Sequence, residues 1–358
     1  MRQLEIVILA MVVFASIGAY ACTTFVIGRN ASATGRVIVG HNEDDKGELS
    51  VRHGYVPARN WGENEYLPCE AGRAPIPQVS HTFGFFWSEV KSPDGGLSNA
   101  DTMYNENGVL VLSNSAVGCV DPGAGAHTDG GIEYNVRRIV AERAKSARDA
   151  VVIVTNLVTR WGYAPDTGRL YTVADKGEAF VIELLCGRSF AVRRCPDDHV
   201  TIIPNCYTIR TFEPGDIVSP ALIGKPADFD FAKTFQRPDT FKRPIDTERQ
   251  ATACRFLTER DWPNDDYPFS VKPAKKMDVA SLKELLLCSY RPHTIEQSIW
   301  RFAEEADGMV AEIAPHRDEG PRHVRVSPLG RLPAEMDEGD ASGRLDRHLM
   351  PEKLQAVR

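Results

Sequence analysis

The chain has 358 residues, of which 42% are hydrophobic and 25% are charged, as in ordinary soluble globular proteins. This length allows one large domain or two. The net charge of −7, with no concentrated basic stripe, excludes the electrostatic footprint of a nucleic-acid-binding protein.

The first segment of the chain has the pattern of a removable leader. One early cation, Arg2, precedes the apolar run Ile6–Ala19, which is too short to span a bilayer comfortably. Ala19-Tyr20-Ala21 has the small-x-small form after which signal peptidases cut. We therefore predict a signal peptide at residues 1–21 and export to a periplasm, a cell surface or the medium. The alternative is an apolar core strand or a membrane anchor.

Cleavage after Ala21 would make Cys22 the first residue of the mature chain, with a thiol and a free α-amine on one residue. An unperturbed α-amine has a pKa of about 7.7–8, and a cysteine thiol has a pKa of about 8.5. At neutral pH the amine can accept the thiol proton and later return it to a leaving amine. Cys22 is therefore predicted to supply both the nucleophile and the base.

A lipoprotein is a second interpretation of the same stretch, because an acylated Cys22 would tether the chain to a membrane. A lipobox expects a branched aliphatic residue at the third position before the cysteine. This chain has Ala19 there, followed by the bulky Tyr20. The sequence therefore favours signal cleavage over lipidation.

Two β-branched runs follow the leader, and the pattern predicts a β-hairpin. The runs are Thr23–Gly28 and Arg36–Gly40, joined by a polar connector that ends in glycine. The second run continues into the polar cluster His41–Asp45, which the hairpin would return to the neighbourhood of Cys22. We expect Asn42 or Asp44 to hold the α-amine there, where a carboxylate would also raise its pKa. A solvated loop is the alternative.

The middle of the chain places two asparagines at predicted strand ends. A long Pro- and Gly-rich loop, Tyr55–Gln78, precedes further strands, and Val109–Leu112 then delivers Asn114. A later strand, His199–Ile203, ends just before Asn205. An asparagine at the end of a buried strand can direct its amide at a developing oxyanion, although a turn or cap asparagine is the commoner interpretation.

Helical and strand periodicities fill the rest of the chain. Gly130–Leu157 reads as two consecutive helices broken at Ser146–Asp149, and Lys176-Gly177 is flanked by the strands of a hairpin. Helices are also predicted at Thr247–Glu259 and Asp278–Ser289, and strands within His293–Glu312. After Pro315 the chain turns polar, and we predict a divergent, loosely held tail over 316–358.

Cysteine and histidine spacing gives no support for a metal site. The eight cysteines include no CxxC, no HExxH motif is present, and the histidines are scattered. Without Cys22 the number of cysteines is odd, so at least one stays unpaired. Disulfides are plausible in an exported chain, but their pairing is open. We expect no metal and no cofactor.

Several stretches, in order, make the chain resemble the C69 dipeptidase/secernin family of N-terminal nucleophile hydrolases. They cover residues 22 to about 207, with weaker likeness to around 314. The stretches are CTTFVIGRNASATGRVIVGHNEDD, NENGVLVLSNSA, RRIVAERAKSARDAV, LYTVADKGEAFVIE and PDDHVTIIPNCYTI. The resemblance implies an α+β, four-layer αββα sandwich of two antiparallel sheets in a domain over 22–315. It also implies that the mature Cys22 attacks an amide carbonyl.

Further likeness to bile-salt hydrolases and penicillin V acylases, which share the cysteine start, implies roles for other residues. Asp44 matches the residue that contacts the nucleophile's amine, and Asn114 and Asn205 match the oxyanion positions. His41 stands where those acylases have arginine. Arg255, in ACRFL, is a weak match to a late active-site arginine.

The resemblance therefore implies a cysteine-type dipeptidase whose partner is a small peptide substrate. An acylase cleaving N-acyl amides with the same machinery and a non-catalytic exported or lipid-anchored binding protein are the alternatives. We expect no nucleic-acid partner and no stable membrane insertion after leader cleavage, and we leave a homo-oligomer open.

Overall fold

The computed structural model describes residues 22–44, 50–67, 72–91, 99–116, 118–120, 127–288, 298–304, 309–313 and 326–328. The predicted leader and most of the predicted tail lie outside these residues, so both stay predictions. The same holds for the domain boundary at 315.

The first half of the described chain is mainly strand, followed by two helices. Its elements are β1 (Thr23–Ile27), β2 (Ile38–Asp44), β3 (Ser50–Val56), β4 (Arg59–Asn60), β5 (His81–Thr82), β6 (Phe85–Lys91), β7 (Asn99–Asn105), β8 (Leu110–Ser115), α1 (Val136–Arg143) and α2 (Ala147–Trp161).

The second half alternates strands with helices. Its elements are β9 (Arg169–Ala174), β10 (Ala179–Leu184), β11 (Phe190–Arg194), β12 (Val200–Ile203), β13 (Ile217–Val218), α3 (Phe231–Phe235), α4 (Pro244–Thr258), β14 (Ser270–Val271), α5 (Val279–Cys288), β15 (Ser298–Glu304), β16 (Met309–Ile313) and β17 (Val326–Pro328).

These strands form two large antiparallel sheets. The seven-stranded sheet has the order β14-β12-β1-β2-β15-β16-β17, and the eight-stranded sheet has the order β13-β11-β10-β9-β8-β7-β6-β3. The predicted hairpin β1–β2 is present, with Thr24 opposite His41, as is the β9–β10 hairpin around Lys176-Gly177. Both confirm that alternation and turn residues define local strand pairs.

The burial pattern divides the molecule into four layers. Between the sheets lies a core from both inner faces, which includes Val26, Val39, Leu112 and Val181. The outer face of the eight-stranded sheet packs on α1 and α2, through residues that include Val111, Ile139, Val154 and Ile182. The outer face of the seven-stranded sheet packs on α4 and α5, through residues that include Phe25, Ile38, Leu257 and Leu285. The predicted αββα sandwich is confirmed.

Helix boundaries follow from local capping. The predicted break between the first two helices is confirmed, because the Ser146 side chain accepts a hydrogen bond from the Asp149 amide (3.1 Å) and starts α2. The Asp278 carboxylate caps α5 in the same way, from the Ser281 amide (2.8 Å). The first helix begins only at Val136, so the prediction of helix from Gly130 was too early. Gly130 and Gly131 both have positive φ, which a helix does not allow.

Two further observations concern cysteines and membranes. Six cysteines in the described part of the chain are buried thiols: Cys22, Cys119, Cys186, Cys195, Cys206 and Cys254. No helix within the described residues is both long enough and apolar enough to cross a bilayer.

Candidate active site

Most of the residues that the sequence singled out lie at one end of the sandwich. Cys22 directly precedes β1, and β2 returns beside it, with Asn42 opposite Thr23. The end of β12 also lies beside β1, since Ile203 is opposite Thr24. This pairing brings Asn205, two residues beyond β12, to the same end.

Cys22 is held through its backbone by an arginine of α4. The Nη1 of Arg249 donates to the carbonyl oxygen of Cys22 (2.6 Å) and to the Thr23 hydroxyl (2.8 Å). Cys22 and Arg249 are both only 3% exposed. Charge-assisted bonds of this length inside a protein are strong, so they fix the start of β1 against α4.

The same guanidinium reaches the second predicted asparagine. Arg249 Nη2 donates to the Oδ1 of Asn205 (3.2 Å) and to the Oδ1 of Asp246 (2.6 Å). Asp246 also accepts from the backbone N–H of Asn205 (3.3 Å) and from Arg243 Nε (2.7 Å). Asp246 is fully buried, and it is neutralised by two guanidinium groups, as a buried charge requires.

These contacts determine the orientation of the Asn205 amide. A guanidinium has only donors, so the atom that faces Arg249 must be the oxygen. The Asn205 Nδ2 then donates to the Ser115 carbonyl oxygen at the end of β8 (2.9 Å). An amide nitrogen carries two hydrogens, and this bond uses one of them.

Asn114 reaches across from the eight-stranded sheet and is oriented by a similar argument. Its Nδ2 donates to the Ile203 carbonyl oxygen (3.1 Å), which can only accept. Its Oδ1 therefore accepts from the Thr24 hydroxyl (2.7 Å). Because that hydroxyl has a single proton, the 2.7 Å contact between Thr24 and His41 must have the His41 Nδ1 as donor. His41 thus carries a proton on Nδ1.

Asn42 differs from its neighbours, because its side chain is fully buried and, among the described residues, neither its nitrogen nor its oxygen has a hydrogen-bond partner. It shares the face of β2 with Ile38, which packs on the α4–α5 layer. Asp44 is the last residue of β2, and its side chain lies outside what the structure describes.

Arg255, the weak match to a late active-site arginine, does not join this cluster in the structure. Its side chain is 64% exposed and pairs with Asp261 (2.6 Å). The buried face of α4 carries Arg249, which sequence reasoning missed. The available signal was helical spacing, because Arg249 lies four residues before Ala253 and eight before Leu257, both buried.

Three other cysteines are poor rivals to Cys22 as nucleophiles. Burial raises the pKa of the Cys195 thiol and of the Cys254 thiol to about 12. Burial, with the nearby Asp246 carboxylate, also raises the pKa of the Cys206 thiol well above its ordinary value. Since the thiolate is the reactive form, these thiols are inert near neutral pH. Within the described residues no group of three His, Cys, Asp or Glu side chains could hold a metal ion.

The arrangement therefore combines a buried cysteine, two asparagine amides with fixed orientation and a buried ion pair at one end of an αββα sandwich. The sequence profile of peptidase family C69 matches residues 21–297, which is most of the chain and starts at the residue before Cys22. The chain belongs to peptidase family C69.

Curated relatives of this C69 chain include a probable dipeptidase of Latilactobacillus sakei, 24% identical over 75% of the chain and 60% of the relative. A probable dipeptidase B of Streptococcus pyogenes serotype M3 is 26% identical over 52% of the chain and 38% of the relative. A probable dipeptidase of Salmonella dublin is 24% identical, over 76% and 67% respectively. The chain thus spans 60% and 38% of the lengths of the first two, less than two thirds of each.

Solved structures similar to the chain include a mutant conjugated bile acid hydrolase from Clostridium perfringens. Its TM-score is 0.46 at 13% identity, covering 87% of this chain and 93% of that one. Penicillin V acylase from Agrobacterium tumefaciens has a TM-score of 0.46 at 12% identity, covering 87% of each chain.

Proposed function

We propose that this C69 protein is a cysteine-type N-terminal nucleophile hydrolase that cleaves the peptide bond of dipeptides. One observation carries the proposal most: Arg249 binds both the backbone of Cys22 and the amide of Asn205. A nucleophile and a candidate oxyanion donor therefore belong to one buried network. The dipeptidase names of the curated relatives support the substrate class.

In the proposed reaction, the α-amine of Cys22 takes the thiol proton and the thiolate attacks the carbonyl carbon of the scissile bond. The alternation of side chains along β1 favours a thiol on the same face as Thr24 and Asn114. The second amide hydrogens of Asn114 and Asn205 stabilise the tetrahedral oxyanion. One such donor is typically worth about 2.7–4 kcal/mol.

The protonated amine then gives its proton to the leaving amine, which departs as a free amino acid. Water, deprotonated by the same amine, resolves the thioester and regenerates the thiol. Asp44 is the proposed contact of the amine. The mechanism needs a free α-amine, so we propose that a signal peptidase removes residues 1–21 during export.

The test combines intact mass with hydrolysis assays on the secreted protein. We expect a mature chain that begins at an unmodified Cys22 and releases free amino acids from a dipeptide panel. Cys22→Ala should abolish turnover while leaving the circular dichroism spectrum unchanged. An unprocessed form that keeps Ala21 should also be inactive, because a peptide nitrogen cannot act as a base.

Other outcomes would contradict the proposal in different ways. Turnover of N-acyl amides but not dipeptides would indicate an acylase with the same machinery. A diacylglyceryl adduct on Cys22 would indicate a lipid-anchored protein, and full activity of Cys22→Ala would exclude the nucleophile itself.

A further inference from the structure

The carboxylate of Glu183, near the end of β10, is a buried polar group that the proposed mechanism leaves unused. Glu183 is fully buried within the strand run Ala179–Leu184, whose other side chains are apolar. Burying a carboxylate in such surroundings costs free energy unless donors surround it. Hydrogen-bond donors should therefore surround the Glu183 carboxylate.

The donors come from the segment that follows Asn205. The Oε1 of Glu183 accepts from the Thr208 amide (2.7 Å) and from the Thr208 hydroxyl (2.9 Å). The next amide, that of Ile209, is shared between the two carboxylate oxygens at 3.3 Å each. Two successive peptide N–H groups and one hydroxyl are thus directed at a single carboxylate.

Register places Glu183 on the same row of the eight-stranded sheet as Asn114. Asn114 pairs with Leu170 on β9, and Leu170 pairs with Glu183 on β10. Neighbouring strands lie about 4.8 Å apart, so Asn114 and Glu183 are about 10 Å apart along this row. Glu183 also shares a strand face with Val181, which lies in the core between the sheets. The carboxylate therefore lies in the inter-sheet layer that contains the candidate oxyanion donors.

The short segment between Asn205 and Ile209 also has other hydrogen bonds, including one from the Ala232 amide to the Ile209 carbonyl oxygen (3.1 Å). Tyr207 donates through its amide to Gln236 Oε1 (3.2 Å) and through its hydroxyl to the Leu184 carbonyl oxygen (2.9 Å). Asn205 itself is held from the opposite side by Asp246 and Arg249. Glu183 therefore holds the Thr208 and Ile209 end of the segment on the eight-stranded sheet, and the ion pair holds Asn205 on α4.

We propose that Glu183 is a positioning residue of the amidase site, which holds the segment Asn205–Ile209 so that the Asn205 amide faces the scissile carbonyl. The inference rests on the proposed function only for the role of Asn205. The carboxylate acts through the backbone of residues 208 and 209 and does not touch substrate. A displacement of about 1 Å in a catalytic donor can cost about a hundredfold in rate, so a small relaxation of this segment is sufficient to matter.

The charge state of Glu183 sets the strength of this anchor, because all three donors require a lone pair and a protonated carboxyl has fewer to offer. Burial raises the pKa of Glu183 to about 7, although the bonds from Thr208 and Ile209 and the charge of Arg193 oppose that shift. The charged and titratable groups around it are Arg193 on β11, which is paired with Asp216 and Glu213, and Cys206 and Tyr207 of the segment itself. On β9 it faces the apolar Leu170.

The test compares Glu183→Gln with Glu142→Gln across pH 5.5–9, using dipeptide hydrolysis. Glu142 is a matched control, because it is a buried glutamate of α1 with two side-chain partners, Arg138 and Gln78. We expect kcat of the wild type to fall as the pH drops through about 7. Glu183→Gln should lose only the part of this pH dependence that is due to Glu183, with kcat about tenfold below wild type at pH 8 and KM within about twofold. The fall in kcat at low pH that is due to the α-amine should remain in Glu183→Gln. The pH profile of kcat for Glu142→Gln should match that of the wild type.

A second variant, Thr208→Val, removes one donor to the carboxylate and keeps the side-chain shape. Loss of a hydrogen bond to the charged form raises the pKa of a carboxyl, so we expect the acid limb of kcat to move to higher pH. A wild-type profile in both Glu183→Gln and Thr208→Val would overturn the inference.

Hydrogen exchange separates this inference from the proposed function. After correction for intrinsic rates, the protection factors of the Thr208 and Ile209 amides should fall in Glu183→Gln and not in Glu142→Gln. If the protein hydrolyses no amide, the proposed function fails, and unchanged protection of both amides in Glu183→Gln would then still refute the anchor.

Discussion

The guanidinium of Arg249 offers the most direct perturbation of the site. Arg249→Met keeps the length and apolar contacts of the side chain but removes its hydrogen bonds, among them those to Cys22, Thr23, Asn205 and Asp246. It leaves Asp246 buried, with Arg243 as its remaining cationic partner. Both stability and activity should therefore change.

The magnitudes follow from the burial of the pair. Removing one partner of a buried, hydrogen-bonded ion pair costs about 3–5 kcal/mol, and Arg243 should hold the loss to the lower end of that range. The loss of kcat should exceed what the loss of folded protein explains, because the side-chain amide of Asn205 loses the donor that orients it. Loss of one oxyanion donor lowers kcat by about 10²–10³-fold.

Arg255→Met is the matched control in the same helix. The ion pair between Arg255 and Asp261 is exposed, and such pairs contribute about 0–1 kcal/mol. We expect its urea midpoint and kcat to remain close to wild type. In the double variant Arg249→Met/Asp246→Asn, both members of the pair lose their charge, so the loss of stability should be smaller than the sum of the single losses.

The assays are urea unfolding for the free energy and dipeptide hydrolysis for kcat and KM, with all variants at one pH. Equal kcat in Arg249→Met and Arg255→Met would refute the reasoning, because the link between Cys22 and Asn205 would then have no part in turnover.

Three further predictions follow from buried groups. Asn42→Leu removes a buried amide that has no hydrogen-bond partner in the described part of the chain, and it should raise the free energy of unfolding by about 1 kcal/mol. It should also lower kcat if Asn42 holds the amine. A lower urea midpoint in Asn42→Leu would contradict the stability prediction. Burial raises the pKa of Glu183 from 4.5 to about 7, so the stability supplied by its neutral form is complete below pH 4.5 and is lost as the pH rises to about 7. Over that interval the wild type should lose about 3 kcal/mol relative to Glu183→Gln in parallel urea titrations. Iodoacetamide at pH 7.5 should modify Cys22 well before Cys195 or Cys254, whose pKa values burial raises to about 12, and peptide mass mapping that finds equal labelling would contradict this order.

The sequence predicted the local part of the fold well and the long-range part only through family resemblance. The β1–β2 hairpin follows from β-branched runs around a polar connector, and the start of α2 follows from Ser146. These features depend on residues close together in the chain. The order of strands in each sheet depends on pairs such as Thr24 with Ile203, which no local pattern encodes.

The candidate site shows the same division. Asn114 and Asn205 were predicted because each follows an apolar strand, whereas Arg249 was missed in favour of Arg255. Choosing between the two arginines requires the phase of α4, which is fixed by burial against the sheet. The chain of hydrogen bonds from His41 through Thr24 to Asn114 depends on the register of β1 and on contact between the sheets. The chemical roles of Asn114, Asn205 and His41 stay predictions.

The manner in which Cys22 is anchored fits the chemistry proposed for it. Chain termini are usually poorly ordered, so a nucleophile at the first residue of a mature chain needs a strong tie. Arg249 supplies that tie through the carbonyl oxygen of Cys22 and the hydroxyl of Thr23, both of which are acceptors. Neither of these two bonds uses the lone pair of the amine or the thiol, so the tie does not itself consume the groups that the proposed reaction needs.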